Sequence, residues 1–474
     1  FLGYYPYVFL IKTPLLSLLG LLLGAIGLIL RRDRKLIAFW SAPLIFFLAA
    51  IISQLNLGYR LILPALPFVI VLAGQGLAST WQASRQRWIK VGLIGLSALL
   101  IIEVLTLGSS HAAYFNLFVL DRDHDYNYLV DSNLDWGQDL IALRDWQTAN
   151  HIDQINLAYY GTARPAAYHV QANLLPSFSL NDFGSEVDGF NANALPPGWY
   201  AISATSLQLG LLYTHWNEYA AFRSMTPVTR VGRSILVYHL TYASSAIDRS
   251  VVLGSSAGDL DRTTLGGTPD RQLVVKWAGD DAAVLDMQGP ARYLAHGSDP
   301  IVGFAPEVHS ALLANAQLLG SDASGEWRVF QIDARAALGL KVKSWLNSTV
   351  TAPGQIRLNL PLKFDGGLTL LGYDLSALPD QPIDLITYWR VDHTPAGPLA
   401  IFAHVLDAGN QIIAQRDGLN VRLSSLEPDD VIIQHFLIDY PAGANTLDIG
   451  LYDPITSQRM QIAQQYDHVV VELR

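Results

Sequence analysis

Two groups of residues in this chain have types and spacings that could do chemistry. The first is Asn56-Leu57-Gly58-Tyr59-Arg60, followed by Leu63-Pro64. Arg60 is the only charged residue between Lys35 and Arg85. An arginine at the end of an apolar run can hold a phosphate with its planar fork, and its bland role there is snorkelling to the membrane surface. Lys12 stands in the same relation to the preceding run, and two cations at one level favour an anionic headgroup more than either alone. The second group is Asp131-Ser132-Asn133-Leu134-Asp135-Trp136-Gly137-Gln138-Asp139. Its D-x-N-x-D start has calcium-loop spacing, but an EF-hand needs Gly at the sixth position and an acid at the twelfth. Those positions hold Trp136 and Ala142, so the motif fails. Asp121–Asp125 fails likewise, with Tyr126 and Ser132 there. The bland role for Asn133 or Asp135 is capping the helix that follows.

Other chemistry is missing from the sequence. It has no G-x-S-x-G, no P-loop, no G-x-G-x-x-G after a strand and no H-E-x-x-H. The twelve histidines are scattered, and with zero cysteines neither a disulfide nor a thiolate metal site can form. No metal ligands are assigned, no cofactor is specified, and a divalent metal is left open. Near the C-terminus, alternation sends Tyr388 and Trp389 to opposite faces of one strand, with Phe402 and His404 on another. Such aromatics pack a core or, less commonly, stack on a sugar ring.

The elements that must position these groups follow from composition and charge. Of 474 residues, 51% are hydrophobic and only 15% charged, well below the ~25% of a soluble domain. That points to a membrane part and argues against disorder. Residues 1–110 carry +7 and the remainder −17, summing to −10. An acidic body of this size is repelled by phosphate backbones, so nucleic acid is excluded as a partner. Four apolar runs, about 7–30, 36–54, 61–80 and 90–107, are each long enough to cross a bilayer as a helix. Glu103, within the last, is read as interfacial. The basic loops Arg31–Lys35 and Arg85–Lys90 place those turns in the cytoplasm and everything after about 107 outside. Because Phe1 directly precedes a span, the chain is expected to be a C-terminal piece whose earlier spans are missing.

After this membrane domain (1–110), residues 111–244 read as an α/β domain. It has an amphipathic helix over Asp135–Asn150 and strands at Ile155–Tyr160, Trp199–Ala204 and Ser234–Leu240. Residues 245–338 read as a smaller α/β domain, with strands at Leu273–Trp277, Ala283–Asp286 and Trp327–Ile332, a helix over Glu307–Leu319, and a boundary loop at Gly254–Gly267. Residues 339–474 show short strands separated by Pro/Gly turns, the pattern of an Ig-like or carbohydrate-binding-like β-sandwich. The expected strands there are Leu340–Trp345, Gln355–Leu360, Leu368–Tyr373, Ile383–Val391, Leu399–Leu406, Val431–Ile438, Leu447–Tyr452 and His468–Leu473. No internal repeat is visible.

Four stretches resemble the C-terminal portion of bacterial family-39-type membrane glycosyltransferases, relatives of protein O-mannosyltransferases. They are Phe9–Pro14, Asn56–Arg60 with Leu63-Pro64, Tyr128–Asp139 and Pro196–Ser203. The third is the longest and most specific. Together they cover residues 1 to about 240. Leu371–Asp374 and Gly450–Pro454 resemble accessory regions more weakly.

The resemblance implies a polytopic GT-C fold in a bacterial plasma membrane. It implies inverting transfer of a sugar from a polyprenyl-phosphate-linked donor to a glycan, lipid or protein acceptor on the extracytoplasmic face. It places Lys12, Asn56, Tyr59 and Arg60 where relatives hold the lipid phosphate. Asp131, Asn133, Asp135, Trp136 and Asp139 become a structural or acceptor-side motif. The catalytic acid is expected in an outward loop upstream of Phe1, so no residue here is assigned as catalytic. The other class weighed is a non-catalytic, membrane-anchored protein that binds glycans or organises the envelope. A transporter fits poorly, because so few charges lie within the apolar runs.

Overall fold

A computed structural model describes residues 2–31, 34–53, 55–106, 110–177, 191–210, 218–254, 260–296, 301–322, 324–338, 349–353, 356–378, 381–395 and 397–473. The chain divides into two compact units, Phe1–Val187 with Gly198–Leu240, and Asp188–Pro197 with Thr241–Arg474.

The first unit begins with helices α1 (Tyr4–Lys12), α2 (Leu15–Arg31), α3 (Arg34–Ile52), α4 (Leu66–Ala83) and α5 (Arg87–Thr106), with a 3₁₀ segment, Gly58–Ala65, leading into α4. The expected first span does not run straight. Pro14 disfavours helical geometry in the residue before it, Thr13 is extended (φ −96°, ψ 133°), and α1 and α2 meet at a bend of 117°. Among the described residues two helical stretches are long and apolar enough to cross a membrane, Gly58–Ala83 and Arg87–Leu105. A third counts if the bent pair is one span, and the apolar part of α3, Ile37–Ile52, is shorter. Of the four expected spans, two or three thus have membrane length among the described residues. Helices α2 and α4 pack closely through small residues: a Cβ on Gly76 would lie 2.1 Å from the Gly20 carbonyl oxygen.

The same unit carries one five-stranded sheet. Its strands are β1 (Ile155–Ala158), β2 (Ala172–Leu174), β3 (Gly198–Ser203), β4 (Thr229–Val231) and β5 (Ile235–Leu240), in the order β2-β1-β3-β5-β4. β1 is parallel to both β2 and β3, while β5 is antiparallel to β3 and β4. The expected amphipathic helix starts five residues late, as α6 (Leu140–Ala149). Leu140 and Leu143 are buried against the sheet, and Trp146 meets Trp199 edge-on at 5.6 Å. Asn133 and Asp135 therefore do not cap it, and the first turn follows Asp139. Between β3 and β4 lie α7 (Ala204–Leu209) and α8 (Ala220–Arg223).

The second unit repeats that topology. Strands β6 (Ile247–Leu253), β7 (Gln272–Ala278), β9 (Ala291–His296), β10 (Gln317–Ser321) and β11 (Trp327–Ile332) form a sheet in the order β7-β6-β9-β11-β10. β6 is again parallel to both neighbours, and β11 is again antiparallel to both of its own. Helix α9 (Pro306–Ala314) precedes the terminal hairpin as α7 and α8 precede theirs, and α10 (Ala334–Leu338) follows it. No repeat of residues announces this repeat of topology. The Gly254–Gly267 stretch joins β6 to β7 inside this sheet.

The remaining strands form two antiparallel sheets over a shared core. One runs β13 (Ile356–Asn359), β12 (Thr349–Ala352), β21 (Val469–Glu472), β20 (Ala444–Tyr452), β17 (Ala400–Asp407), β18 (Ile412–Gly418). The other runs β14 (Leu362–Lys363), β15 (Leu368–Ser376), β16 (Ile383–Val391), β19 (Val431–Ile438), and ends on β8 (Ala282–Leu285). β8 comes from the middle of the preceding α/β segment, so the α/β sheet and the sandwich share one unit and one core. Lys276 fastens the two. Its Nζ lies 2.8 Å from both Asp286 and Asp430 and 3.0 Å from Glu427, and Lys276, Asp286 and Asp430 are fully buried. The expected strand Leu340–Trp345 lies outside the described residues. Tyr388 (2% exposed) and Trp389 (0%) are both core, so neither offers a face to a sugar. Strand β16 is buried on both faces, which overrides the in/out alternation of a sandwich strand.

Candidate functional site

The two motifs singled out in the sequence meet in the first unit, and they meet through backbone. Helix α1 ends at Lys12, leaving terminal carbonyls to be satisfied. Buried Asn116 takes that role, its Nδ2 donating to the carbonyls of Leu10 (2.6 Å) and Thr13 (2.7 Å). Lys12 is itself buried at 7% exposure. Its Nζ donates to the carbonyls of Ala112 (2.8 Å) and Asn133 (2.5 Å) and lies over the Phe115 ring at 4.4 Å. The Thr13 hydroxyl meets the Tyr59 hydroxyl at 3.0 Å.

The 58–65 segment is held from the other side. Asn133 Oδ1 accepts the Tyr59 backbone N–H at 2.8 Å, and the Ser132 hydroxyl donates to the Leu57 carbonyl at 3.2 Å. Gly58 sits at φ +69°, and a Cβ there would lie 2.1 Å from the Asn133 amide. Asn56 is exposed, and its carbonyl accepts from the Tyr4 hydroxyl at 3.3 Å.

This packing presents Arg60. Its guanidinium is 3.6 Å from Asp131 Oδ2 and 5.8 Å from the Trp136 ring centre. Asp131 is further held by the Tyr160 hydroxyl, which donates to its Oδ1 at 2.6 Å, and by its own N–H, which donates to the Thr205 hydroxyl at 2.9 Å. Arg60 (37% exposed) and Asp131 (23%) make a half-open pair at long distance. Such pairs contribute little to stability, and the guanidinium keeps donors for a second anion. Trp136, 45% exposed, flanks the opening with Tyr160 at 6.3 Å.

The other two acids of the motif point inward. Asp135 is fully buried; it accepts the N–H groups of Gly137 (3.1 Å) and Thr205 (3.3 Å). Burial pushes its carboxyl up to about 7; the two N–H groups oppose this and nearby Asp139 adds to it. Asp139 Oδ2 accepts the backbone N–H groups of Arg233 and Ser234 and the Ser234 hydroxyl, each at 2.8 Å. Asp139 thereby pins the β4–β5 turn, and Asp135 pins the start of α7. Among the described residues no group of three or more His, Asp or Glu is placed to hold a metal ion.

Arg60, Asp131 and Trp136 therefore gather at one opening. Lys12, Tyr59, Asn133, Asp135 and Asp139 form the frame beneath it, and Asn56 lies on the adjoining loop. Sequence reasoning missed Tyr160, Thr205 and Asn116. Tyr160 sits just before Gly161 at the carboxyl end of β1, where a polar ring is placed to reach a site; Asn116 carries no comparable signal.

The geometry defines an anion-competent site at the end of an apolar helix, built on a mixed α/β chain with two or three membrane-length helical stretches. Comparison with protein-family models, with curated proteins and with solved structures gave no match.

Proposed function

We propose that this chain is the phosphate-handling part of a membrane glycosyltransferase that moves a sugar from a polyprenyl-phosphate donor to an acceptor outside the cytoplasm. The supporting observation is Arg60: a half-exposed guanidinium at the amino end of an apolar helical stretch, braced by Asp131 and flanked by Trp136. In this reading the apolar helices cross the membrane four times, the bent pair included, with Arg31–Lys35 and Arg85–Lys90 in the cytoplasm. The body after about 107 lies outside.

The chemistry asked of Arg60 is limited and specific. The bond between the sugar's anomeric carbon and the phosphate oxygen breaks, leaving an extra negative charge on the lipid phosphate. The acceptor oxygen bonds to the anomeric carbon from the opposite face, and its proton passes to a base. A fixed guanidinium at the departing phosphate lowers the barrier, because it requires no reorganisation as charge develops. Lys12 is buried against two carbonyls, so its part is to hold Asn133, and through it the Tyr59 amide next to Arg60. The base is assigned to no residue of this chain. In the complete protein, Arg60→Ala should raise the donor KM or lower kcat, with Arg60→Lys intermediate; unchanged kinetics would reject the role.

A further inference from the structure

The repeated α/β topology exposes a second site. In both sheets the first strand's connection leaves toward one edge and the third strand's toward the other. The carboxyl ends of these adjacent strands therefore flank a crevice of the kind that receives ligands in open α/β sheets. In the first unit, the chain's own motif occupies that place. The Tyr160 N–H, just after β1, bonds the Ser203 hydroxyl at the end of β3, and Asp131 and Asp135 are tied to Tyr160 and Thr205 directly above. In the second unit the corresponding ends, Gly254 after β6 and His296 closing β9, border a cavity of about 670 Å³.

The lining of that cavity selects a ligand class. Gly254 (φ +131°) is the pivot: a Cβ there would stand 3.4 Å from His296 Cβ and 3.8 Å from Asp280 Oδ1. The Trp327 ring stands 3.6 Å from the same point, so His296, Trp327 and Asp280 surround Gly254, whose N–H donates to the Ala278 carbonyl at 2.9 Å. Asp280 and His296 are both exposed, and the His296 ring meets Trp327 edge-on at 5.3 Å. Phe304 supplies an aromatic wall. Its ring lies parallel to His435 (10°, 5.1 Å), and His435 is held by Asp384 at 2.9 Å, so the ring has one face covered and a fixed orientation. Gly279 and Gly303 also line the cavity, the Gly279 N–H donating to the Asn420 carbonyl at 2.8 Å. No lysine or arginine is among the described lining residues, so nothing there favours a phosphate. A carboxylate and an imidazole for hydroxyl groups and an aromatic face for C–H bonds match a neutral sugar.

We infer that this crevice of the second unit is a binding site for a neutral sugar residue. The inference does not rest on the transferase reading, since a glycan-binding protein would use the same site. The test is saturation-transfer NMR on the full chain in detergent. The probes are methyl α-mannoside, methyl β-glucoside, methyl β-galactoside and methyl β-N-acetylglucosaminide, with glucose 1-phosphate as the charged comparison. We expect saturable binding of at least one neutral glycoside. Asp280→Asn should weaken it about tenfold, the effect of removing a charged hydrogen-bond acceptor. Phe304→Ala should weaken it comparably, and Arg60→Ala should leave it unchanged. Asp280 is exposed and the Asn replacement isosteric, so that variant separates binding from folding. Three results would overturn the site: silence across the neutral panel, binding insensitive to both substitutions, or tighter binding of the phosphate than of every neutral glycoside.

Discussion

Asn133 Oδ1 accepts the backbone N–H of Tyr59 at 2.8 Å, and that bond joins two motifs 74 residues apart in the chain. It makes the position of Arg60 a consequence of the 131–139 segment. The neighbouring Gly58 has no room for a side chain beside the same amide. Arg60, Asp131 and Trp136 are therefore held as one assembly.

Removing that bond should be felt both in stability and at the opening. Asn133→Ala leaves the Tyr59 N–H without its acceptor, a loss of about 1–3 kcal/mol for a buried donor. The thermal midpoint should fall, and phosphate-lipid binding should weaken although Arg60 is intact. Asn133→Asp keeps the acceptor but loses the Nδ2 bond to the Val130 carbonyl (3.1 Å), so it should restore part of both.

Asp135 should give the first unit a measurable pH signature. Its carboxyl stands at about 7 in the folded chain against about 3.9 unfolded. The folded state therefore holds a proton the unfolded state has released, and stability falls as pH rises from about 4 to 7, then levels. Asp135→Asn loses one N–H contact at every pH, a constant offset. The difference in unfolding free energy between variant and parent should nonetheless shift toward the variant across that window. A flat difference from pH 4 to 8 would show that Asp135 ionises normally.

Lys276 touches both Asp286 and Asp430, and all three are out of solvent. Lys276→Met takes the cation from buried Asp430 and leaves Asp286 with the more distant Arg249 (3.6 Å), with an expected loss of about 3–5 kcal/mol. Denaturant unfolding of the full chain should show this as a shift in the transition of the second unit. The loss should shrink at acid pH: burial holds the Asp430 carboxyl above its ordinary value, so it takes up a proton there more readily.

The orientation proposed for the helices is open to direct labelling because the chain has no cysteine of its own. A single cysteine at Asn127 should react with an impermeant maleimide on intact cells, and one at Gln86 should react only after lysis. The reverse pattern would place the acidic body in the cytoplasm.

Much of this was legible in the residues, and what was not has definable causes. Ile383–Val391 and Val431–Ile438 are found where their apolar runs and flanking turns put them, because strand identity is a local property. Partner choice is not local. Nothing in Ala282–Leu285 says that it leaves its own α/β segment to extend the sandwich sheet beside β19. The burial of Tyr388 follows from that same long-range arrangement. Pro14 is visible in the sequence, but a run of apolar residues on both sides masks the break it imposes. In the site, residue types singled out Arg60 and the acidic motif separately and did not place them side by side. They could not distinguish Asn133 as a bridge from Asn133 as a cap, since both uses employ the same side-chain oxygen. Tyr160 and Thr205 reach Asp131 only once the parallel strands bring their carboxyl ends together.

The most direct measurement of the central claim is binding of undecaprenyl phosphate to the full chain in lipid nanodiscs, for parent, Arg60→Ala and Arg60→Lys, with undecaprenol as the uncharged comparison. The account predicts saturable binding of the phosphate lipid over the alcohol. Losing a charged hydrogen-bonding partner predicts a weakening of about tenfold or more in Arg60→Ala. Arg60→Lys should retain part of the affinity. Equal binding of the phosphate and the alcohol, or full affinity in Arg60→Ala, would contradict it.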